Sequence, residues 1–145
     1  MQRDELVEKI NKDLEGKLEN VERPSGKRAY LYVHPKHSLG VNRYLYGLGG
    51  RLATATGVDS RDYIEVLYHY AFDSMNIVVT VKTRAFKPEV ELDSVAQVFP
   101  GAEWIEREIH DLLGVKFKDH PRLERLILSD DWEEGVYPYR RDYKK

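Results

Sequence analysis

Apolar positions recur along this chain at two spacings, three-to-four and two, and these spacings divide it into helices and strands. Leu6, Val7, Ile10 and Leu14 fall on one helical face, which predicts a helix over about 3–14 stopped by Gly16. Residues 17–23 and 28–33 read as two strands around the turn Pro24-Ser25-Gly26. Tyr30 and Tyr32 point to one side of the second strand, Leu31 and Val33 to the other. A second helix is expected over 39–48, capped by Ser38, with Val41, Tyr44, Leu45 and Leu48 as its buried stripe. Gly47, Gly49 and Gly50 end it. Strands are expected over 51–57, 63–71 and 75–83, the last two joined by Phe72-Asp73-Ser74. Ile77, Val79 and Val81 share one face of the final strand. The order predicts an α+β fold: a two-layer α-β(2)-α-β(3) sandwich with a mixed sheet, plus a C-terminal helix and an extended tail.

Past residue 83 the pattern changes. Pro88 marks a loop, 92–98 reads as a short helix, and Pro100-Gly101 introduce the most regular helix, 102–113, stopped by Gly114. From Val115 onward no long periodic run remains. This divides the chain into an α/β core domain, 1–101, and a docking helix with an extended tail, 102–145. On a helical wheel Ala102, Ile105, Ile109, Leu112 and Leu113 face the core. Glu103, Arg107, His110 and Asp111 lie on the opposite side, and Trp104 points outward near Glu108 and Asp111. An outward tryptophan fits the centre of a partner interface. Arg107 stands one turn from both Glu103 and Asp111, so a partner covering this face would enclose a linked set of charges.

Composition removes several chemistries. The 145 residues include no cysteine, so disulfides, thiolate nucleophiles and cysteine-ligated clusters are excluded. Formal net charge is -2, without the basic surplus of a nucleic-acid binder. The abundant tyrosines, 10 in all, are read as groups of a partner interface rather than base-stacking platforms. The five histidines, His34, His37, His69, His110 and His120, form no HExxH, and Pro35 is expected to keep His34 and His37 off a common helix. No metal or other cofactor is expected. Glu106 and Glu108 project about 160° apart on a helix, so they cannot act together on one bond; each is expected to pair with an arginine from the tail or from another chain, the candidates in the tail being Arg122, Arg125, Arg140 and Arg141. Gly26-Lys27 lacks the upstream glycines of a phosphate loop, and Gly47-Leu48-Gly49-Gly50 is no dinucleotide motif. The charged start followed by no apolar run, and the lack of any long apolar stretch, point to a protein without a membrane span. Few asparagines and glutamines, no cysteine and many charges lean toward a thermophile.

Four segments then carry a resemblance. Ala-Glu-Trp-Ile-Glu-Arg-Glu-Ile-His-Asp-Leu-Leu-Gly-Val at 102–115, Lys-Asp-His-Pro-Arg-Leu at 118–123, Leu-Ser-Asp-Asp-Trp-Glu at 128–133 and Arg-Arg-Asp-Tyr at 140–143 occur in this order. Together they resemble the 30 kDa subunit family of respiratory complex I, the C subunit of NADH–quinone oxidoreductase, with its relatives in membrane-bound nickel–iron hydrogenases and ferredoxin-linked complexes. The resemblance runs from about Asp59 to the end. Glu106, Arg107, Glu108, Asp111, Leu112, Leu113 and His120 match the central motif. Asp119 stands where a glycine is usual, Glu124 where a basic residue or proline is usual, and the ending Tyr137-Pro138-Tyr139-Arg140-Arg141-Asp142-Tyr143 departs from the family's.

The resemblance implies a subunit without redox centre, catalytically silent alone. It would dock on the large subunit that frames a quinone or nickel–iron site, beside a small redox subunit. The assembly, not this chain, would carry out electron transport and ion translocation, held peripherally on the cytoplasmic face of the cell membrane. The docking residues it implies are Trp104, Glu106, Arg107, Glu108, Asp111, His120, Arg122, Trp132, Arg140, Arg141, Asp142 and Tyr143. The departures and the thermophile composition favour a hydrogenase-type or ferredoxin-linked complex; the C subunit of an NADH–quinone oxidoreductase is the alternative.

Overall fold

A computed structural model of the chain describes residues 1–121, 123 and 136–141. Helix α1, Arg3–Asp13, begins where the Glu5 carboxylate accepts a hydrogen bond from the Gln2 N–H, 3.3 Å. Strands β1, Asn20–Ser25, and β2, Arg28–Tyr32, follow as an antiparallel hairpin. Helix α2 runs Pro35–Gly47, and strands β3, Arg51–Asp59, β4, Tyr63–Phe72, and β5, Ile77–Phe86, complete the sheet. The strand order is β1-β2-β5-β4-β3. Within this sheet β2 and β5 pair in parallel, while the other neighbours are antiparallel. The α-β(2)-α-β(3) order and the mixed sheet are those expected from the sequence.

Alternation along the strands sorts the two faces. Leu31, Val33, Ile64, Val66, Tyr68, Tyr70, Val79 and Val81 are fully buried under the helices. Tyr68 and Tyr70, two apart on β4, reach Glu106 and Asn42 respectively, so the two helices bearing those residues cover the same face. Helix α1 adds Leu6, Ile10 and Leu14 to the same core, and its Asp13 accepts a hydrogen bond from Tyr44 of α2, 2.6 Å. Each fully buried aliphatic side chain contributes about 1.5–3 kcal/mol, so this face is the main source of stability. The opposite face carries Tyr30, Tyr32, Lys82, Arg84 and Phe86. Lys82 lies 4.1 Å from the centre of the Tyr30 ring, and Arg84 pairs with Glu19.

Three expectations need correction. Helix α2 starts four residues earlier than the periodicity suggests, at Pro35, and its cap is His34, whose Nδ1 accepts from the Lys36 N–H, 3.2 Å. A proline in the first helical turn lacks only a donor that would be unpaired anyway, so Pro35 opens the helix rather than excluding it. His37 accordingly lies in the first turn, its N–H donating to the His34 carbonyl, 2.9 Å. Ser38 is buried inside the helix, and its carbonyl accepts from Asn42, 2.8 Å. Finally, residues 92–98 are not one helix. A short strand β6, Glu91–Asp93, precedes a 3₁₀ turn, Val95–Gln97. β6 pairs in parallel with β7, Lys116–Lys118, which follows the last helix in a stretch the periodicity assigns to the tail. Buried Leu92 and Phe117 face each other across this small ladder.

A second 3₁₀ turn, Pro100–Ala102, leads into α3, Glu103–Leu113, one residue short of the expected start. Helix α3 packs so closely on β3 that a Cβ at Gly57 would collide with Leu113. The buried apolar cluster is continuous from Leu6 to Phe117.

Candidate functional site

The charged motif of α3 is mostly inside the molecule. Glu106 is fully buried. Its Oε1 accepts from the Ser94 hydroxyl, 2.6 Å, and from the Ala96 N–H, 3.4 Å. Its Oε2 accepts from the Tyr68 hydroxyl, 2.8 Å, and from the Val95 N–H, 3.0 Å. The first N–H groups of a 3₁₀ turn have no partner within the turn, and a carboxylate satisfies them well. Ser94 takes part twice, its oxygen also accepting from the Ala96 N–H at 3.1 Å. Burial pushes the Glu106 carboxyl above the ordinary glutamate range, against the pull of its four donors. Burial, followed by the Glu106 charge, raises the Tyr68 and Tyr70 hydroxyls too. Glu106 therefore joins β4, the Val95–Gln97 turn and α3 at one point. These partners replace the tail arginines expected from the sequence, because the turn that supplies them has no period to reveal it.

Arg107 and Asp111 are expected on the outward face. Both are buried, at 4% and 3% exposure. The Arg107 guanidinium lies 4.9 Å from the centre of the Trp104 ring. The helical wheel fails here because it counts charge as outward, whereas neighbouring segments close over this side. Trp104 itself is 57% exposed, as expected, and Glu108 is exposed beside it. The His120 side chain is buried. Its Nε2–H donates to the Glu103 carbonyl, 3.0 Å, and lies 3.9 Å from Glu106.

The segment 136–141 seals the other end of the helix. Helix C-termini leave carbonyls without partners. Here the Tyr139 N–H donates to the Leu112 carbonyl, 3.0 Å, and Arg140 Nε to the Leu113 carbonyl, 2.6 Å, placing a cation at the negative end of the helix. Gly114 closes α3 in the left-handed region, φ 78°, and the Tyr137 ring lies where its Cβ would be. Arg140 stacks on Tyr137, 4.8 Å. The Arg141 N–H donates to Asp59 Oδ2, 2.7 Å, and Lys87 pairs with Oδ1, 2.6 Å. Burial pushes the Asp59 carboxyl up, but Lys87, the Arg141 N–H and Arg140 outweigh this and hold it below the usual range. Arg122, Trp132, Asp142 and Tyr143 lie outside the described residues.

The structure thus brings Trp104, Glu106, Arg107, Asp111 and His120 together on and beside α3, and places Arg140 and Arg141 at its far end. Gly114 ends the helix as the sequence predicts, while Ser94, Tyr68 and Gly57 complete the arrangement in roles that sequence reasoning does not assign them. Ser94 has a signal: a capping residue directly before a short Val-Ala run. Among the described residues, no group of three or more His, Asp or Glu side chains could hold a metal ion. Glu106, Arg107 and His120 serve internal contacts, while Glu108 stays exposed. No helix among the described residues is long and apolar enough to cross a membrane.

Known proteins resemble this chain in sequence and fold. The family model described as respiratory-chain NADH dehydrogenase, 30 Kd subunit, matches residues 31–145, reaching further toward the N-terminus than the motifs alone suggest. The C subunit of F(420)H(2) dehydrogenase from Methanosarcina mazei is 38% identical over 121 residues, covering 81% of this chain and 76% of that protein. The C subunit of an NADH-quinone oxidoreductase from Chloroherpeton thalassium is 37% identical over 95 residues, 64% of this chain and 39% of that protein. Among solved structures, a chain of the membrane-bound sulfane sulfur reductase, an archaeal respiratory membrane complex, superposes with a TM-score of 0.87 at 25% identity. The match covers 97% of this chain and 85% of that one. A trypsin-resistant fragment of Nqo5 superposes with a TM-score of 0.67 at 19% identity, which shows a shared fold. It covers 85% of this chain and all of the fragment. On the match of its residues 31–145, the chain belongs to the 30 kDa subunit family of the respiratory-chain NADH dehydrogenase.

Proposed function

We propose that this chain is a cofactor-free docking subunit in the hydrophilic arm of a membrane-bound oxidoreductase complex of the hydrogenase-type or ferredoxin-linked class. Its partners are the large catalytic subunit and a neighbouring small redox subunit. It is held on the cytoplasmic face of the membrane through them. The unit from 102 to 145 is the docking element, and electron transport and ion translocation belong to the assembly. One observation carries the reading: buried Glu106 fixes α3 on the core and the Leu112 and Leu113 carbonyls fix the 136–141 segment at its end, while Trp104 and Tyr139, 57% and 67% exposed, remain outside. A rigid helix presenting large aromatics is how a docking surface gains affinity with little ordering cost.

The Methanosarcina relative supports a complex other than an NADH oxidoreductase, since it belongs to an F(420)H(2) dehydrogenase and matches four-fifths of this chain. The Chloroherpeton relative supports the second reading, the C subunit of an NADH–quinone oxidoreductase, over a shorter stretch. The test is isolation of the assembly from membranes through an affinity tag on this chain, with wild type, Trp104→Ala and Tyr139→Ala. Each substitution should leave the melting temperature of the free chain within about a degree or two and lower recovery of the large subunit about tenfold or more. The identified large subunit, with or without nickel-ligating cysteines, separates the two readings. Wild-type recovery in both variants would overturn the docking role.

A further inference from the structure

The two edges of the five-stranded sheet are built differently. β1 is guarded: Glu22, Arg23 and Pro24 sit within its six residues, and a charge or a proline on an edge discourages further pairing. β3 is not. From Leu52 to Val58 it carries neither charge nor proline, in the sequence Leu-Ala-Thr-Ala-Thr-Gly-Val. A register irregularity falls between Leu52 and Thr54, but from Thr54 to Asp59 the pairing with β4 is regular. In an antiparallel ladder every second residue of such a strand turns its N–H and C=O away from its partner. Among the described residues, the one further bond to the main chain of this stretch comes from the Thr54 hydroxyl to the Ala55 carbonyl, at 3.4 Å. Thr54, Thr56 and Val58 are exposed, Val58 by 50%. The stretch is held in place, because Gly57 is clamped under Leu113 and the Asp59 carboxylate is held by Lys87 and the Arg141 N–H.

The end of this edge is charged in one sense. A shallow groove lined by Asp59, Ser60, Arg61, Lys87 and Arg141 sets three cations against one carboxylate. An incoming strand would thus meet an uncharged ladder followed by a positive end. A second copy of this chain fits poorly. Two-fold antiparallel pairing of β3 with itself would set Arg51, already paired with Asp73, opposite this end, so the strand would bring no free carboxylate to the groove.

We propose that the Thr54–Asp59 edge of β3 receives an extended segment of a partner subunit. That segment adds a sixth strand to the sheet and ends in an acidic residue lodged against Arg61, Lys87 and Arg141. Main-chain hydrogen bonds supply the affinity, and the acid fixes the register. This rests on reading the chain as a subunit of a larger assembly.

The experiment compares amide hydrogen exchange of the free full-length chain with that of the assembly isolated from membranes through a tag on this chain. Every second amide of Thr54–Asp59 should exchange quickly in the free chain and at least about tenfold more slowly in the assembly, while the β1 amides on the guarded edge change little. Thr56→Glu and Arg61→Glu, both on exposed side chains, should each lower recovery of the assembly about tenfold, with the free-chain melting temperature unchanged. Protection confined to α3 and 136–141, with β3 equal in both states, would overturn the strand proposal and leave the docking reading standing. A chain recovered from membranes alone would overturn both. Protection of β3 in a free chain that sediments as a dimer would assign the edge to a second copy and refute the partner strand.

Discussion

Replacing Glu106 tests the central claim about α3, that the acid at the middle of its motif is an internal joint rather than a surface contact. Glu106→Ala removes the acceptor for two hydroxyl and two main-chain donors, all buried, and leaves a cavity between β4 and the helix. The hydroxyls can turn to other partners; the Val95 and Ala96 N–H groups cannot, although Ala96 keeps the Ser94 oxygen. One stranded N–H, weakened hydroxyl bonds and the cavity together should cost about 3–5 kcal/mol. Glu106→Gln keeps the volume. With its oxygen toward Val95 and Tyr68 and its amide donating to Ser94, it should cost about 1–2 kcal/mol at low pH. The pH dependence gives a sharper test. The folded carboxyl is raised by burial, so above the ordinary glutamate range the folded chain holds more protons than the unfolded chain. Stability then falls as pH rises from that range through the folded value. Glutamine has no proton to lose. The cost of Glu106→Gln relative to wild type should therefore shrink as pH rises from the ordinary glutamate range through the folded value, and then stay constant. Urea melts of both proteins across this range decide it. A Glu106→Ala cost under about 1 kcal/mol, or a glutamine difference that does not move with pH, would refute the buried joint.

Three further outcomes follow from the same geometry. Arg107→Ala should lower the stability of the free chain by about 2–4 kcal/mol, and Arg107→Lys should restore only part, because the guanidinium is buried against Trp104; thermal melts check both. Gly114→Ala should cost about 1–2 kcal/mol from its positive φ alone and should displace Tyr137, seen as faster amide exchange at Tyr139. His69 is held neutral by burial and by Arg28 and Lys82, so its folded value lies below 6.5 and the unfolded chain binds the extra proton. The stability it contributes is lost as pH falls below 6.5, and His69→Gln should flatten that part of the wild-type profile in urea melts.

The difference between what is legible in the sequence and what is not has a physical origin. Every strand whose inward residues repeat at a spacing of two is visible, because burial of Leu31, Val79 or Val81 depends on alternation alone. The start of α2 is hidden because a capping histidine followed by proline looks like a loop until the helix beyond it is known to reach back. The β6–β7 ladder is hidden because its partners are separated by α3, and a three-residue strand carries no period of its own. The site shows the sharper contrast. Trp104 is correctly legible as outward, since so large a ring set off the apolar stripe of its helix has no place in the core that the stripe faces. The same wheel makes Arg107 and Asp111 its outward companions, yet they are buried. A wheel places residues around a helix, but it cannot say how many sides of the helix are covered. Here β3 covers one side, and the Ser94–Ala96 segment binds Glu106 on another, so polar residues such as Glu106 serve as core on that flank. They can do so because they bring partners of their own, as the Glu106 donors and the stacked Arg107 show. The exposed remainder is therefore held at fixed positions, Trp104 on a helix anchored by the buried charges of Glu106 and Arg107, and Tyr139 by its main-chain bond to the Leu112 carbonyl of that helix. That is why disturbing those charges should first appear in the melting of the free chain and only then in its binding.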